Sequence, residues 1–368
     1  MGGGPQAPSK QMSNKKELVL FTVPFPEEAA KRGLDALKKE FEDVEIAYYY
    51  TQHQKPTEVP QDVVNRASYL ATLFWLPTDA AALPNVNLIQ FFSAGTNHVS
   101  AHPIYTDSKI PLCSANGVHG PQISEWVIMM DLVHSHGFPK LYELQKQKSW
   151  NQGAGMKVRD GVGKKVGILG YGSIGRQVAR VANAMGMTVI AYTASPRKTP
   201  ESKKDDGYIV PGTGDPDGSF PSAWFSGTSK EQVHEFLKQE IDLLVIAVPL
   251  TKATTHLLST DEFNCLHKSN PRGTFIANIS RGQVIDQPAL VKALHHGLIR
   301  GAALDVADPE PLPSDDALWD APNVLITPHV SGASDVYADR AIEVLRENMR
   351  RVKSGRRLVN EVDRKRGY

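Results

Sequence analysis

The stretch Val166-Gly-Ile-Leu-Gly170-Tyr-Gly172-Ser-Ile-Gly175 constrains this chain more than any other. A strand pattern over 166–169 runs into a Gly-x-Gly-x-x-Gly turn, and a helix pattern follows to Met185. Each glycine has a steric task. Gly170 permits the tight turn, Gly172 lets a pyrophosphate come close to the backbone, and Gly175 lets the helix pack against the sheet. The helix start at Ser173 and Ile174 then offers unpaired N–H groups and a positive dipole end to phosphate. Glycines also punctuate ordinary turns. What selects a dinucleotide site here is the strand before the turn, the helix after it, and a second strand pattern over 188–192.

The 368 residues leave room for two domains of about 150 residues each. Strand patterns at 18–23, 44–50, 70–76, 88–92 and 112–114 precede the glycine turn, with an amphipathic helix over 27–41. Strands alternating with helices imply a parallel sheet covered on both faces. A long helical pattern over 121–148 leads to the turn, and Gly137 and Pro139 are expected to kink or break it. Beyond the turn, strands at 188–192, 242–248, 274–279, 301–306 and 324–327 alternate with helices at 230–239, 260–267 and 287–296. That is the content of a doubly wound sheet. A last helix is expected over 334–353. Residues 200–229, rich in Gly, Pro, Asp and Ser, read as a surface loop inserted into this pattern. Their functional alternatives are a flap over the adenosine half of a cofactor, or an oligomer contact anchored by Trp224 and Phe225.

A formal net charge of +1 gives no electrostatic footprint for nucleic acid or an anionic membrane. Two distant cysteines, Cys113 and Cys265, argue against a disulfide framework and a Cys-type zinc site, so no metal is expected. They suit a reducing, cytoplasmic setting. Residues 1–14 have no apolar core and read as a disordered tail, neither signal peptide nor membrane span.

Three polar residues fall at expected strand ends: Arg281 in Asn-Ile-Ser-Arg-Gly, Glu310 between two prolines, and His329 in Thr-Pro-His-Val-Ser-Gly. Ligands of open α/β sheets bind outside those carboxyl ends. A guanidinium grips a carboxylate bidentately. A histidine moves a proton near neutral pH, and a carboxylate beside it favours the imidazolium. Singly, each has an ordinary role as a turn, loop or packing residue. Together with a nicotinamide they are the parts needed to reduce a 2-keto acid.

The sequence resembles the D-isomer-specific 2-hydroxyacid dehydrogenase family from about residue 60 to Tyr368. The motifs that carry the likeness are Ser93-Ala-Gly-Thr-Asn97, Asn116-Gly, the glycine turn and Val248-Pro-Leu-Thr-Lys-Ala-Thr-Thr255. They continue with Asn278-Ile-Ser-Arg-Gly, Ala303-Leu-Asp-Val306, Pro309-Glu-Pro-Leu and Thr327-Pro-His-Val-Ser-Gly332. The resemblance implies a Rossmann nucleotide-binding domain (126–334) inserted into a flavodoxin-like substrate domain (15–125 and 335–368). It also implies an Arg281/Glu310/His329 triad in the cleft, and a homodimer paired through the nucleotide domains and the connecting helix. The cofactor is expected against Gly170, Tyr171, Gly172, Ser173 and Ile174. Further contacts are expected from Val248, Pro249, Thr255, Ile279, Ser280 and Gly332, with Asp305 on the nicotinamide carboxamide. Ala94, Gly95 and Thr96 are expected to cradle the substrate carboxylate with backbone N–H groups, and Phe74 and Trp75 to approach its side chain.

An NAD site normally carries an acid after the second strand, where it binds the ribose 2′-OH. Here Thr193 stands in that place. Arg197 and Lys198, with Ser195, offer a 2′-phosphate a site, so NADPH is expected over NADH. Small keto acids such as glyoxylate and hydroxypyruvate fit that cofactor. The rival reading is a dinucleotide-sensing interaction protein, similar to the corepressors that share this fold. That group keeps the triad, but no peptide-docking or regulatory tail is evident at the C-terminal end of this sequence.

Overall fold

The computed structural model describes residues 16–52 and 57–364. The expected tail over 1–14 and the basic end of the chain, 365–368, lie outside the described residues.

Two parallel sheets are built in succession. The first holds β1 (Glu17–Val23), β2 (Val44–Tyr50), β3 (Ala67–Thr72), β4 (Leu88–Phe91) and β5 (Leu112–Cys113), in the order β2-β1-β3-β4-β5. All of its pairings are parallel. Six of the seven residues of β1 are buried, as expected of a strand covered on both faces. One face packs on Leu34 and Leu37 of helix Lys31–Glu40 and on Ile342, Leu345 and Met349 of the last helix, Tyr337–Lys353. That helix therefore returns, after the second sheet, to complete the core of the first.

The second sheet holds β6 (Lys165–Leu169), β7 (Thr188–Thr193), β8 (Pro221–Ser226), β9 (Leu243–Ile246), β10 (Phe275–Asn278), β11 (Gly301–Leu304) and β12 (Val324–Ile326). Its order is β12-β11-β10-β9-β6-β7-β8, again all parallel. Strand order reverses between β6 and β9, which opens the ligand crevice of a doubly wound sheet at their carboxyl ends. The fold is therefore α/β, a Rossmann sheet combined with a flavodoxin-like one.

One expectation is met and two change. The helical pattern over 121–148 is two helices, Gly120–Ser135 and Phe138–Lys146, because Gly137 turns left-handed with φ +63° between them. The strand expected at 70–76 is β3 at Ala67–Thr72. The apolar run continues past it, but the Thr72 hydroxyl donates to the Trp75 carbonyl at 2.6 Å and turns the chain. Residues 200–229 are not one surface loop. Their last part is β8, whose Phe225 packs against Phe236 in the core and whose Trp224 meets the Tyr171 ring edge-on at 4.9 Å.

Candidate active site

The glycine turn is built as its spacing requires. Gly170 has φ +103°, and a Cβ there would come within 2.6 Å of the Ala247 backbone. Gly175 lies against the Gly170 carbonyl, where a Cβ would sit at 2.5 Å. At Gly172 nothing lies within 4 Å of a Cβ position. The protein thus leaves open space beside the backbone at the start of helix Ser173–Ala184, where the N–H groups of the first turn favour an anion. Val248 and Pro249 follow β9 after Ala247, and the Val248 nitrogen would lie 2.8 Å from a Cβ on Gly170. The Thr254 hydroxyl shapes this loop, accepting from Thr251 N (2.8 Å) and donating to the Pro249 carbonyl (2.7 Å). Thr255 is exposed, with its hydroxyl on the Thr251 carbonyl.

Tyr171 differs from expectation. Its side chain is buried, its hydroxyl donates to Asp215 at 2.7 Å, and the Arg176 guanidinium lies over its ring. The ring is a core element beneath the turn. Ser173, also nearly buried, donates to the Asn116 side chain at 2.8 Å and so joins the two sheets.

Arg281, Glu310 and His329 leave the carboxyl ends of β10, β11 and β12, three adjacent parallel strands, and the topology alone brings their loops together. His329 Nδ1 lies 2.6 Å from Glu310 Oε1, which commits that nitrogen to the carboxylate and leaves Nε2 to face outward. Both side chains are partly exposed, at 48% and 40%. The Arg281 guanidinium donates to the Ser280 carbonyl at 2.6 Å. Asn278 holds the turn beneath it, donating to the Arg281 carbonyl and accepting from Ser280 N and Oγ. Ile279 and Ser280 are themselves nearly buried. Burial pulls the Arg281 guanidinium below its usual range while Glu310 pushes it back up. It remains a cation at any working pH.

The other wall of the cleft is the 93–97 loop. A Cβ on Gly95 would come within 3.0 Å of Arg281 Nη2, so the loop expected to cradle a carboxylate lies against the guanidinium. Ala94 is exposed and Thr96 is buried. Of the two aromatic residues nearby, Phe74 is exposed and edge-on to His98. Trp75 is partly buried and packs on the core beneath the sheet.

Asp305 is tied into the loop that carries His329. Its buried carboxylate accepts from Thr327 Oγ1 (2.6 Å), Val330 N and Ser331 N (both 2.9 Å) and Ser331 Oγ. Four donors fill the acceptor sites of a carboxylate. Asp305 is thus the anchor of the loop that carries His329. The anchor has a load to hold, because His329 sits at φ +55°, a left-handed conformation that costs a non-glycine residue about 1–2 kcal/mol. Gly332 ends this loop. Its carbonyl accepts from Gln122, and His119 packs against it, with burial and Arg340 pushing that imidazole down to about 4.

At the end of β7 the Thr193 hydroxyl donates to the Ser195 carbonyl at 2.7 Å, and Arg197 Nη1 donates to the Ser202 carbonyl at 2.6 Å. Ser195, Arg197 and Lys198 are all exposed.

The family model described as "D-isomer specific 2-hydroxyacid dehydrogenase, NAD binding domain" matches residues 128–211 and 219–331. The chain is 26% identical over 355 residues to the glyoxylate reductase of Korarchaeum cryptofilum, covering 94% of this chain and 96% of that one. It is likewise 26% identical to glyoxylate/hydroxypyruvate reductase A of Salmonella paratyphi B, covering 83% and 88%. Among solved structures, a D-isomer specific 2-hydroxyacid dehydrogenase from Xanthobacter autotrophicus, in complex with NADPH and MES, superposes with a TM-score of 0.72 at 26% identity. That match covers 96% of this chain and 100% of the other. An NADPH-dependent glyoxylate/hydroxypyruvate reductase of Sinorhizobium meliloti, in complex with NADP and sulfate, gives 0.71 at 25% identity, with the same coverage. The chain belongs to the D-isomer specific 2-hydroxyacid dehydrogenase family and is an NAD(P)-dependent oxidoreductase.

Proposed function

We propose that this protein reduces a small 2-keto acid of the glyoxylate or hydroxypyruvate kind to the D-2-hydroxy acid, using NADPH. The observation that carries the reading is the His329–Glu310 pair, 2.6 Å apart, on loops beside the Arg281 guanidinium and Gly95. The nucleotide, when bound, supplies the hydride for the keto carbon. The rest falls to the chain. Arg281 holds the substrate carboxylate and carbonyl oxygen, and the backbone of 94–96 receives the carboxylate from the other side. His329 donates the proton to the carbonyl oxygen from Nε2. Glu310 keeps the imidazolium charged and aimed through Nδ1. In this division of labour residues 126–334 bind nucleotide, and 15–125 with 335–368 bind substrate.

Support for NADPH comes from the 193–198 loop, which holds no carboxylate to repel a 2′-phosphate and carries two exposed cations. The bond from Arg197 to its own loop holds the guanidinium in place before the phosphate arrives. Replacing both Arg197 and Lys198 by Ala is expected to raise the KM for NADPH by about 10–100-fold, the worth of one or two charge-assisted bonds. The KM for NADH should move less than about threefold, since NADH has no phosphate for these groups to hold. Equal changes for the two cofactors would remove the loop from the reading.

Homodimerisation belongs to the same proposal. Phe138, Tyr142, Trp150, Met156 and Val162 expose apolar surface along one stretch, with Trp150 93% exposed. A run of this kind favours a protein partner. Light scattering is expected to give twice the 40.4 kDa chain mass, and a monomer at micromolar concentration would count against it. A cytoplasmic setting is proposed from the cysteines, both of which are free.

A further inference from the structure

Residues 203–215 touch three parts of the molecule: the 193–198 loop, the glycine-turn helix and the crossing between the two sheets. At one end they leave the 193–198 loop through the short helix Pro200–Lys203. Thr199 and Ser202 cap each other there, and Arg197 donates to the Ser202 carbonyl. Next, the buried Arg176 of the glycine-turn helix donates to the Lys203 carbonyl (2.7 Å) and the Asp215 carbonyl (2.5 Å), and lies 3.3 Å from the Asp205 carboxylate. Asp215 accepts from Tyr171, from inside the Gly-x-Gly turn itself.

Between those two anchors the segment reaches across to the first sheet. Tyr208 packs its ring on the core formed with helix Tyr337–Lys353, and its N–H donates to Asn360 Oδ1 at 3.3 Å. Its carbonyl presses on Gly117, where a Cβ would lie at 1.8 Å and where φ is +94°, so only glycine fits. Asn360 Nδ2 in turn donates to the carbonyls of Asn116 (2.7 Å) and Ser114 (3.2 Å). Gly117 lies where the chain first leaves the first sheet for the second. Asn360 lies beyond the helix by which it returns, and its side chain and Tyr208 clasp that same crossing.

We propose that residues 203–215 are a positioning strap that couples occupancy of the 193–198 loop to the crossing between the two sheets, with Tyr208 as the residue that makes the connection. The inference rests on reading 193–198 as the loop that holds the adenosine phosphate. A ligand there orders Arg197 and the Pro200–Lys203 helix. The Arg176 and Asp215 anchors carry that ordering to Tyr208, and Tyr208 holds Gly117 and Asn360. Sites that share an ordered segment are coupled even without a large displacement, because the first ligand has already ordered what the second requires. Hydride transfer needs the two walls of the cleft at a fixed angle, and the strap sets that angle. Tyr208 touches no reacting atom and is a positioning residue.

Hydrogen exchange of peptides spanning 114–120 and 355–362 tests this with saturating NADPH. In the wild type, exchange there is expected to slow by about fivefold or more on binding. In Tyr208→Ala that slowing should be lost, while the Kd for NADPH, read by fluorescence titration, stays within about threefold. Tyr208→Phe keeps the ring and should respond as the wild type does. Asp205→Asn, which weakens one of the three ties to Arg176 and keeps an acceptor for the Gly207 N–H, should lose the response in part and covers the case in which Tyr208→Ala does not fold. Undiminished protection in Tyr208→Ala, or none in the wild type at saturation, would overturn the strap. Because this readout needs nucleotide binding and no turnover, a failure of the keto-acid reading would show separately, as absent catalysis with the exchange response intact.

Discussion

His329→Ala is expected to lower kcat by about 10²–10⁴ in keto-acid reduction, the usual worth of a positioned general acid. The KM for the nucleotide should hardly change, because the imidazole faces the substrate side of the cleft and the phosphates lie at the glycine turn. Glu310→Gln should cost less. It keeps a hydrogen-bond partner for Nδ1 within reach of the 2.6 Å contact but removes the negative charge that favours the imidazolium. A loss of less than tenfold in His329→Ala, measured by stopped assays at saturating keto acid, would remove His329 from the proton-donating role.

Arg281→Gln carries the second large effect. The guanidinium is mostly buried, is held by the Ser280 carbonyl, and meets the 93–97 loop at Gly95. Removing it takes away a bidentate grip on the carboxylate and the positive potential that draws the carbonyl oxygen into place. A fall in kcat/KM of about 10²–10³ is expected, shared between a raised KM and a lowered kcat. Arg281→Lys should recover little, because an ammonium keeps the charge and loses the planar fork. Full activity in Arg281→Lys would mean that charge alone suffices and that the two-point grip is wrong.

Most of the two sheets could be read from the sequence because their strands are buried on both faces and appear as short apolar runs between breakers. β1, β6 and β9 are of that kind. β8 was not legible, for a physical reason. It is an edge strand that starts on Pro221, and its polar Ser222 and Ser226 leave only three apolar side chains in sequence. The glycine turn was legible down to the task of each glycine, since backbone geometry is written directly in residue type. The tyrosine inside it was not. Its burial depends on Asp215, 44 residues further on in a loop that reads only as a turn.

The same limit applies around the proposed triad. Arg281, Glu310 and His329 stand out because charged residues end apolar strands. The part Asp305 plays could not be read off, because a carboxylate in Leu-Asp-Val looks the same whether it meets a ligand or pins a loop. The four donors from 327–331 show that it pins the loop. Trp75 and Phe74 are neighbours in sequence, and which of them enters the core depends on the turn closed by Thr72.

This chain is proposed to use NADPH to reduce a small 2-keto acid. Initial rates of NADPH and NADH oxidation, measured with glyoxylate, hydroxypyruvate, pyruvate and phenylpyruvate, test it most directly. Turnover is expected with glyoxylate or hydroxypyruvate, with a kcat/KM at least about tenfold higher for NADPH than for NADH, as one lost charge-assisted bond to the 2′-phosphate would give. Tight binding of nucleotide with no oxidation in the presence of any of the four acids would contradict it, and would bring forward a dinucleotide-sensing role for the same fold.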